Sequence, residues 1–210
     1  MITRDKFDRQ VRALATKFET REESRENEPE SKPHISGYFS VFDGVYEIGP
    51  GMTESIDRHA FDKTLAGDIR ALTNHDSTLV LGRTTAHTLD LRTDEHGLWG
   101  DVEINPNDQD AMNLYERVKR GDVDQCSFGF NIISEETEFR DDGSIHWRIT
   151  EVELHEVSVC TFPAYDTTNV SAREAQREAL SKNRLEDWKA SARQRVSGTP
   201  AENKGGQDQC

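Results

Sequence analysis

A serine in the middle of the chain has surroundings that suit a nucleophile. In strand alternation Ser127 shares one face with Gly129 and Asn131, and the opposite face is apolar: Cys126, Phe128, Phe130 and Ile132. The glycine leaves open space beside the hydroxyl, so a substrate can approach the backbone and N–H groups can bind an oxyanion. The alternative is an ordinary serine on the exposed face of an antiparallel strand.

A histidine in the sequence NHD, at 74–76, is a candidate general base. Imidazole serves this role most often because its pKa lies near the working pH. His75 stands between an apolar run and the strand-like sequence LVLG. Since Asn74 and Asp76 favour turns, the alternative is a turn histidine without a chemical role.

A carboxylate in the run HWRITEVELHEVSVCTFPAY is predicted to be buried. The alternation of apolar residues slips twice in this run, which indicates bulges or a strand buried on both faces. A continuous register over 152–162 places His155 with Val157 and Val159. The same register gives Glu156 a largely apolar face: Val152, Leu154, Ser158, Cys160 and Phe162. A buried carboxylate needs a partner, either a hydrogen-bond donor or a cation such as Arg148 or Arg83.

Together these residues could form a catalytic triad. A nucleophilic serine needs a base, and the base needs a third group to orient it. Ser127, His75 and Glu156 come from three separate strand-like regions, as triads commonly do. A metal-dependent hydrolase using His75, Asp76 and His87 is a competing hypothesis, but these residues lack the spacing of two ligands one helical turn apart.

The surrounding pattern predicts a β-rich core between polar ends. Apolar residues at helical spacing predict an amphipathic helix over 4–18, and the charged residues 19–33 read as a linker. Short apolar runs separated by Gly, Asn, Asp and Pro predict many strands over 34–165. Helices are predicted within this region at 57–66 and 107–120.

The C-terminal part has a different composition. Residues 171–195 are good helix formers with few apolar side chains, and residues 197–210 read as disordered. The sequence therefore predicts three parts: an N-terminal helix and linker over 1–33, a functional domain over 34–165, and a polar tail over 166–210.

Charge and composition exclude several classes of protein. The net charge is −14, residues 1–33 are neutral and residues 166–210 carry +1, so residues 34–165 carry −15. An acidic body repels phosphate, so nucleic-acid binding is not expected. The sequence contains no run of about 18 apolar residues, so no membrane span is predicted. The charged N-terminus is unlike a signal peptide, which favours an intracellular protein. The three cysteines, Cys126, Cys160 and Cys210, are expected to be free thiols.

Several runs in a fixed order resemble one protein family. They are GYFSVFDGVYEIGPGMTESIDRHAF, LTNHD, LGRT, GLWGDVEI, VKRGDVDQCSFGF and VELHEVSVCTFPAY. Over roughly residues 36–166 the chain resembles the prohead, or head-maturation, proteases of tailed double-stranded-DNA phages, which are related to the herpesvirus assemblins. The most specific features are the histidine of NHD, the serine of SFGF and the run LxEVSxxxFPA.

The resemblance implies a fold, an activity and partners. It implies a mostly β, α+β fold of the assemblin type, with a small β-barrel flanked by helices. It implies a serine endopeptidase without a cofactor, with Ser127 as nucleophile, His75 as base and Glu156 as third member, His155 being the second choice. Such proteases act inside the immature prohead in the host cytoplasm. They cut the scaffolding protein or the scaffolding segment of the major capsid protein, and themselves.

Further partners and one alternative function follow from the same resemblance. Self-association is expected, and contact with the portal is a further possibility. The polar extensions, 1–33 and 166–210, are candidates for docking or self-cleavage segments. The alternative function is a protease-like scaffold or assembly factor that has lost its activity.

Overall fold

The computed structural model describes residues 10–23, 32–42, 44–162 and 167–196. The chain divides into two compact units, Met1–Val170 and Ser171–Cys210. Parts of the sequence predictions lie outside the described residues: the start of the predicted N-terminal helix, most of the predicted linker, the predicted disordered tail and Cys210. The domain boundaries predicted at 33 and 165 stay predictions.

Seven strands of the first unit form one sheet around two long central strands. They are β1 (Gln10–Ala15), β4 (Val45–Gly49), β5 (Met52–Ile56), β6 (Arg70–Thr73), β7 (Asp76–Arg83), β10 (Gln125–Phe139) and β11 (Ile145–Cys160). The order is β1-β10-β11-β5-β4, and β6 also pairs with β11 and with β7. β11 is long enough to pair in parallel with β5 near its start and with β6 near its end.

A second sheet packs against the first. Its four strands are, in spatial order, β2 (Glu19–Glu23), β3 (Lys32–Val41), β9 (Gly97–Glu103) and β8 (Leu89–Thr93). Side chains from both sheets meet in one core, for example Phe39 and Val102 from the second sheet with Phe128 and Val157 from the first. The prediction of a mostly β, α+β fold is confirmed, and the core lies between the two sheets.

The predicted helix at the N-terminus is wrong over its described part, because Gln10–Ala15 form strand β1. All six residues pair with β10, which supplies their backbone hydrogen bonds from another part of the chain. Arg12 points inward and its Nε donates to Glu54 Oε2 at 2.6 Å. Four apolar residues at helical spacing are a weak signal for a helix. Pairing with a distant strand outweighs this signal, because tertiary context overrides local propensity.

The predicted linker also contains strands. Glu19–Glu23 form β2, and the last linker residues begin β3. β2 has almost no apolar side chains, but Arg21 donates two hydrogen bonds to Asp101 on β9, each of 2.8 Å. Lys32 on β3 contacts Glu103 at 2.8 Å. Charged pairs across the sheet therefore accompany a pairing that composition alone did not predict.

Residues 57–66 form successive turns, so the helix predicted there is wrong. Thr64 N donates to Phe61 O at 3.0 Å, three residues back. The carbonyl that a helix would offer to Thr64 belongs to Ala60, and it accepts a hydrogen bond from Val152 N at 3.1 Å instead. Leu154 N donates to Thr64 Oγ1 at 2.8 Å. β11 thus uses the backbone of this segment and prevents a regular helix.

The other two helical predictions are confirmed. Helix α1 spans Gln109–Arg120, with Asp108 as N-cap and Gly121 in the left-handed conformation at its end. Four residues of α1 are buried: Ala111, Leu114, Tyr115 and Val118. Helix α2 spans Thr167–Val196 and is mostly exposed along its described side chains. Within the described residues, neither helix combines the length and the apolar composition that crossing a lipid bilayer requires.

Candidate active site

His75 lies in a two-residue turn that joins β6 to β7. Thr73 and Asp76 pair across the turn, and Asn74 and His75 have positive φ angles of 49° and 61°. Two such residues in succession are typical of a type I′ hairpin, in which Asn is favoured. Histidine tolerates this region better than most residues, yet the conformation is uncommon outside glycine.

Hydrogen bonds attach this turn to the end of β11. Asn74 N donates to Val159 O at 3.0 Å, and Asn74 Oδ1 accepts from Thr161 N at 2.9 Å. These bonds stabilise the backbone conformation that an isolated hairpin would adopt only part of the time. The turn prediction for NHD is confirmed, and the turn is fixed against the strand that carries the carboxylate.

β11 presents three polar side chains in a row beside the turn: Glu156, Ser158 and Cys160. All three are almost fully buried. The pairing with β10 shifts at His155, because Glu156 lies opposite Gly129 whereas Leu154 lies opposite Phe130. This bulge corrects the continuous register predicted over 152–162: Glu156 does not share a face with Val152 and Leu154, whose side chains are in the apolar core.

The two slips in alternation along this run are bulges, as one of the sequence interpretations held. The first slip lies near Glu151. Between the pairs Ile132–Val152 and Glu135–Ile149, one residue of β10 and one residue of β11 have no partner in the strand pairing. The second is the bulge at His155. An extra residue reverses the phase of every side chain that follows it, so Val157 and Val159 return to the core while Glu156 turns to the other side.

His75 and Glu156 are joined by a hydrogen bond between Nδ1 and Oε1 of 2.8 Å. The Glu156 side chain is 3% exposed and the His75 side chain 19% exposed. A carboxylate only accepts, so Nδ1 carries the proton and Nε2 of the neutral ring is the accepting nitrogen. The cations suggested as partners of Glu156 lie elsewhere: Arg148 pairs with Glu136 and Asp57.

Arg83, the other cation considered, pairs with Asp68 at the far end of β7. This contact lowers the pKa of the Asp68 carboxyl to about 2, mainly through the hydrogen bond from Arg83. The ion pair predicted as an alternative for Glu156 therefore does not form with either arginine. The carboxylate instead accepts hydrogen bonds from an imidazole and a hydroxyl.

Ser127 is fully buried on β10 and lies directly opposite Ser158 on β11. Its Oγ donates to the backbone carbonyl of Arg12 on β1 at 2.8 Å. The apolar residues expected behind it, including Cys126 and Phe128, are in the core. The exposed-serine alternative is wrong. In the described part of the chain no hydrogen bond joins Ser127 Oγ to a ring nitrogen of His75, so the three predicted residues are neighbours without forming a continuous row.

Cys160 was not predicted to lie at the site. Its Sγ is 3.9 Å from His75 Nε2. Burial, with a smaller effect of Glu156, raises the pKa of the thiol to about 12, so it is protonated at neutral pH. Ser158 was also missed as a site residue. The spacing of Glu156, Ser158 and Cys160, two residues apart in a strand, was the signal that could have identified both.

The remaining candidates lie apart from this cluster. His155 is partly exposed, and its Nε2 is 3.9 Å from a carboxylate oxygen of Glu153. Asp76 accepts hydrogen bonds from the backbone and hydroxyl of Thr78 within its own turn. Among the residues that the structure describes, no three His, Cys, Asp or Glu side chains are grouped so that they could bind a metal ion.

A shallow groove borders the turn that carries His75. It lies between β7 and α1 and has a volume of about 220 Å³. Its lining is mixed: Thr73, Thr78, Leu79, Val80, Leu81, Asp108, Asp110, Ala111, Leu114 and Arg117. His75 itself is not among the lining residues.

A protein-family model and a protein of known sequence point to the same kind of relative. A protein-family model described as caudovirus prohead serine protease matches residues 16–183, well over half of the chain. The prohead protease of Enterobacteria phage HK97 is 28% identical over 156 residues, which cover 72% of this chain and 65% of that protein. The chain thus spans less than two thirds of that relative. A solved structure of the bacteriophage T4 capsid assembly protease, gp21, matches with a TM-score of 0.48 and 10% identity, covering 72% and 96% of the two chains.

Proposed function

Since the chain belongs to the family of caudovirus prohead serine proteases, we propose that it is a serine endopeptidase. In the proposed site Ser127 is the nucleophile, His75 is the general base and Glu156 is the group that orients the base. The observation that carries this proposal is the hydrogen bond of 2.8 Å between His75 Nδ1 and buried Glu156. This bond leaves Nε2 as the basic nitrogen, which is the form that a base for a hydroxyl needs.

The proposed reaction proceeds through an acyl-enzyme. Ser127 Oγ attacks the carbonyl carbon of the scissile peptide while His75 Nε2 takes the hydroxyl proton. The same nitrogen then returns the proton to the leaving amine, and a water molecule repeats the sequence to release the acyl group. Glu156 holds the tautomer of the ring throughout and stabilises the imidazolium that forms after each proton transfer.

For this reaction Ser127 Oγ must leave the carbonyl of Arg12. Ser127 faces Ser158 across the strand pair, and directly opposite residues have Cβ atoms about 4.5–5.5 Å apart. Ser158 in turn contacts both the His75 backbone and Glu156. The proposal requires a change of the Ser127 χ1 rotamer that turns the hydroxyl from Arg12 O toward β11. Catalytic hydrogen bonds often shorten only when substrate binds.

The proposed substrates are proteins of the immature capsid. We infer that the enzyme works within the prohead, in the host cytoplasm, on the scaffolding protein or the scaffolding segment of the major capsid protein, and on itself. The family match and the name of the HK97 relative, a prohead protease, support this choice. The terminal extensions, 1–33 and 166–210, are the proposed sites of docking or self-cleavage.

The experiment is co-expression of the chain with the major capsid protein from the same phage. Ser127→Ala should fold normally and leave the capsid protein uncut, because removing the nucleophile costs several orders of magnitude in rate. Ser134→Ala is the matched control, since Ser134 lies on the same strand in an exposed position. Intact-mass spectrometry and gel electrophoresis report the cleavage. Normal processing by Ser127→Ala would reject the assignment.

One observation favours a second candidate, an inactive protease-like assembly factor. In this structure the Ser127 hydroxyl bonds to Arg12 O and not to the imidazole. Under this alternative the wild-type chain leaves the capsid protein uncut inside assembled proheads, and a fluorophosphonate does not label Ser127. Cleavage that depends on Ser127 excludes the alternative.

A further inference from the structure

Ser158 occupies a central position in the candidate site. It is fully buried on β11, two residues after Glu156 and directly opposite Ser127. Its Oγ donates to Glu156 Oε2 at 2.5 Å and accepts from the backbone N–H of His75 at 3.2 Å. One hydroxyl thus contacts both the carboxylate and the main chain of the histidine.

The contact with Glu156 fixes the orientation of its carboxylate. Oε1 faces His75 Nδ1 and Oε2 faces Ser158, so each oxygen has its own donor. A carboxylate held at both oxygens cannot rotate about its terminal bond without losing one of the two. Hydrogen bonds to a charged acceptor are also stronger than neutral ones, particularly where water is excluded.

The contact with His75 fixes the backbone beneath the imidazole. His75 has a positive φ of 61°, a conformation that needs support from its surroundings. The order of donors runs from His75 N–H to the Ser158 hydroxyl and on to the Glu156 carboxylate. Because the hydroxyl accepts at one side and donates at the other, its own orientation is determined and each bond polarises the next.

We propose that Ser158 is a positioning residue that acts through Glu156 and His75, holding the ring so that Nε2 is directed at the Ser127 hydroxyl. This inference rests on the proposed function. Ser158 itself touches neither the substrate nor the reacting atoms in the proposed mechanism. Its hydroxyl is committed to the carboxylate, so it is not a second nucleophile.

The test compares Ser158→Ala with Ser158→Thr and Ser40→Ala. Loss of the hydroxyl should lower kcat by about 10- to 100-fold with little change in KM, since small displacements of a catalytic group cost that much. Ser158→Thr keeps the hydroxyl and should recover most of kcat. Ser40 is as fully buried as Ser158 but lies on β3, so Ser40→Ala controls for the loss of a buried hydroxyl.

The pH profile separates positioning from a purely structural role. Without the Ser158 donor the charge of Glu156 acts more strongly on the imidazole, which favours the imidazolium. The acid limb of the kcat/KM profile should therefore move to higher pH in Ser158→Ala and return with Ser158→Thr. An unchanged kcat and an unchanged acid limb in folded Ser158→Ala would overturn the inference.

Two further measurements keep the test decisive. In the Ser127→Ala background, the low-field proton signal of His75 Nδ1–H should shift when Ser158→Ala is added, as measured by NMR on protein with labelled histidine. If Ser158→Ala does not fold, Ser158→Val replaces it, because valine has the shape of threonine without its hydroxyl, and wild-type cleavage by that variant contradicts the proposal. Cleavage by Ser127→Ala would defeat the proposed function, whereas full activity of Ser158→Ala with an inactive Ser127→Ala would defeat only this inference.

Discussion

At the scale of single residues, the surroundings of His75 Nε2 decide which atom can act as the nucleophile. Two groups of the site are candidates: the hydroxyl of Ser127, which bonds to Arg12 O, and the thiol of Cys160, whose Sγ is 3.9 Å from His75 Nε2. A thiolate would be the stronger nucleophile, but burial raises the pKa of the Cys160 thiol to about 12. Cys160 is therefore a protonated neighbour of the base, and the serine keeps the catalytic role that we propose.

Cys160→Ala should leave the rate of capsid-protein cleavage within a few-fold of wild type, because the thiol supplies no charge or proton to the proposed reaction. In the wild-type chain iodoacetamide at pH 7.5 should not modify Cys160, since the thiol is buried and protonated. Peptide mapping by mass spectrometry measures the modification. Loss of cleavage in Cys160→Ala together with activity in Ser127→Ala would instead identify the thiol as the nucleophile.

At the scale of elements, β1 is the strand that lies beside the proposed nucleophile. Its pairing with β10 is accompanied by one buried ion pair: Arg12 is 5% exposed and Glu54, on β5, is fully buried. The Arg12 side chain points into the molecule while its carbonyl accepts the Ser127 hydroxyl. The position of β1, and with it the rotamer of Ser127, thus depends in part on Glu54.

Glu54→Gln should destabilise the fold by about 3–5 kcal/mol, because it leaves the Arg12 guanidinium buried without its carboxylate. Glu151→Gln is the matched control: Glu151 pairs with Lys63 at the surface, where such a pair is worth about 0–1 kcal/mol. Urea unfolding of both variants measures the difference. Equal effects of the two substitutions would show that the Arg12–Glu54 pair does not hold β1.

The sequence was enough to choose the residues of the proposed site, but it was not enough to predict their geometry. Ser127, His75 and Glu156 could be chosen because hydroxyl, imidazole and carboxylate chemistry depends on residue type and because the surrounding runs resemble a family. The bulge at His155 could be suspected from the broken alternation, but its position depends on pairing with Gly129. The contact between Ser127 and Arg12 joins residues that are 115 apart in the chain, and no local pattern predicts it.

The same limit explains the errors in the elements. Capped α1 was predictable because its N-cap and terminal glycine are local signals. Strand β1 and the turns at 57–66 were not predictable, because their backbone groups form hydrogen bonds with residues that are distant in the sequence. Local propensity fails where tertiary pairing supplies what the local sequence lacks.

At the scale of the whole molecule, the charge is concentrated in the part of the chain that contains the site. The net charge is −14, and residues 34–165 alone carry −15. Repulsion among like charges opposes a compact state and is screened by salt. An acidic surface also attracts basic segments of a protein substrate more strongly than acidic ones.

Adding sodium chloride, from about 20 to 200 mM, should raise the thermal unfolding midpoint at pH 7.5, because the Debye length falls to about 10 Å or less over this range. Circular dichroism or scanning calorimetry measures the shift. The control is the same titration near pH 5, close to the isoelectric point of about 4.9 that the composition implies, where the rise should disappear. A midpoint that falls with salt at pH 7.5 would mean that attractive surface pairs outweigh the repulsion.

The proposed base and the proposed nucleophile are held by different parts of the fold. The imidazole and its carboxylate depend on the β6–β7 turn and on β11, whereas the serine depends on β10 and β1. Exchange of the serine side chain therefore leaves the acid–base pair assembled. Under the proposed function, a chain that lacks the Ser127 hydroxyl keeps its native surface, so it should retain uncut capsid protein in a complex that can be isolated and mapped.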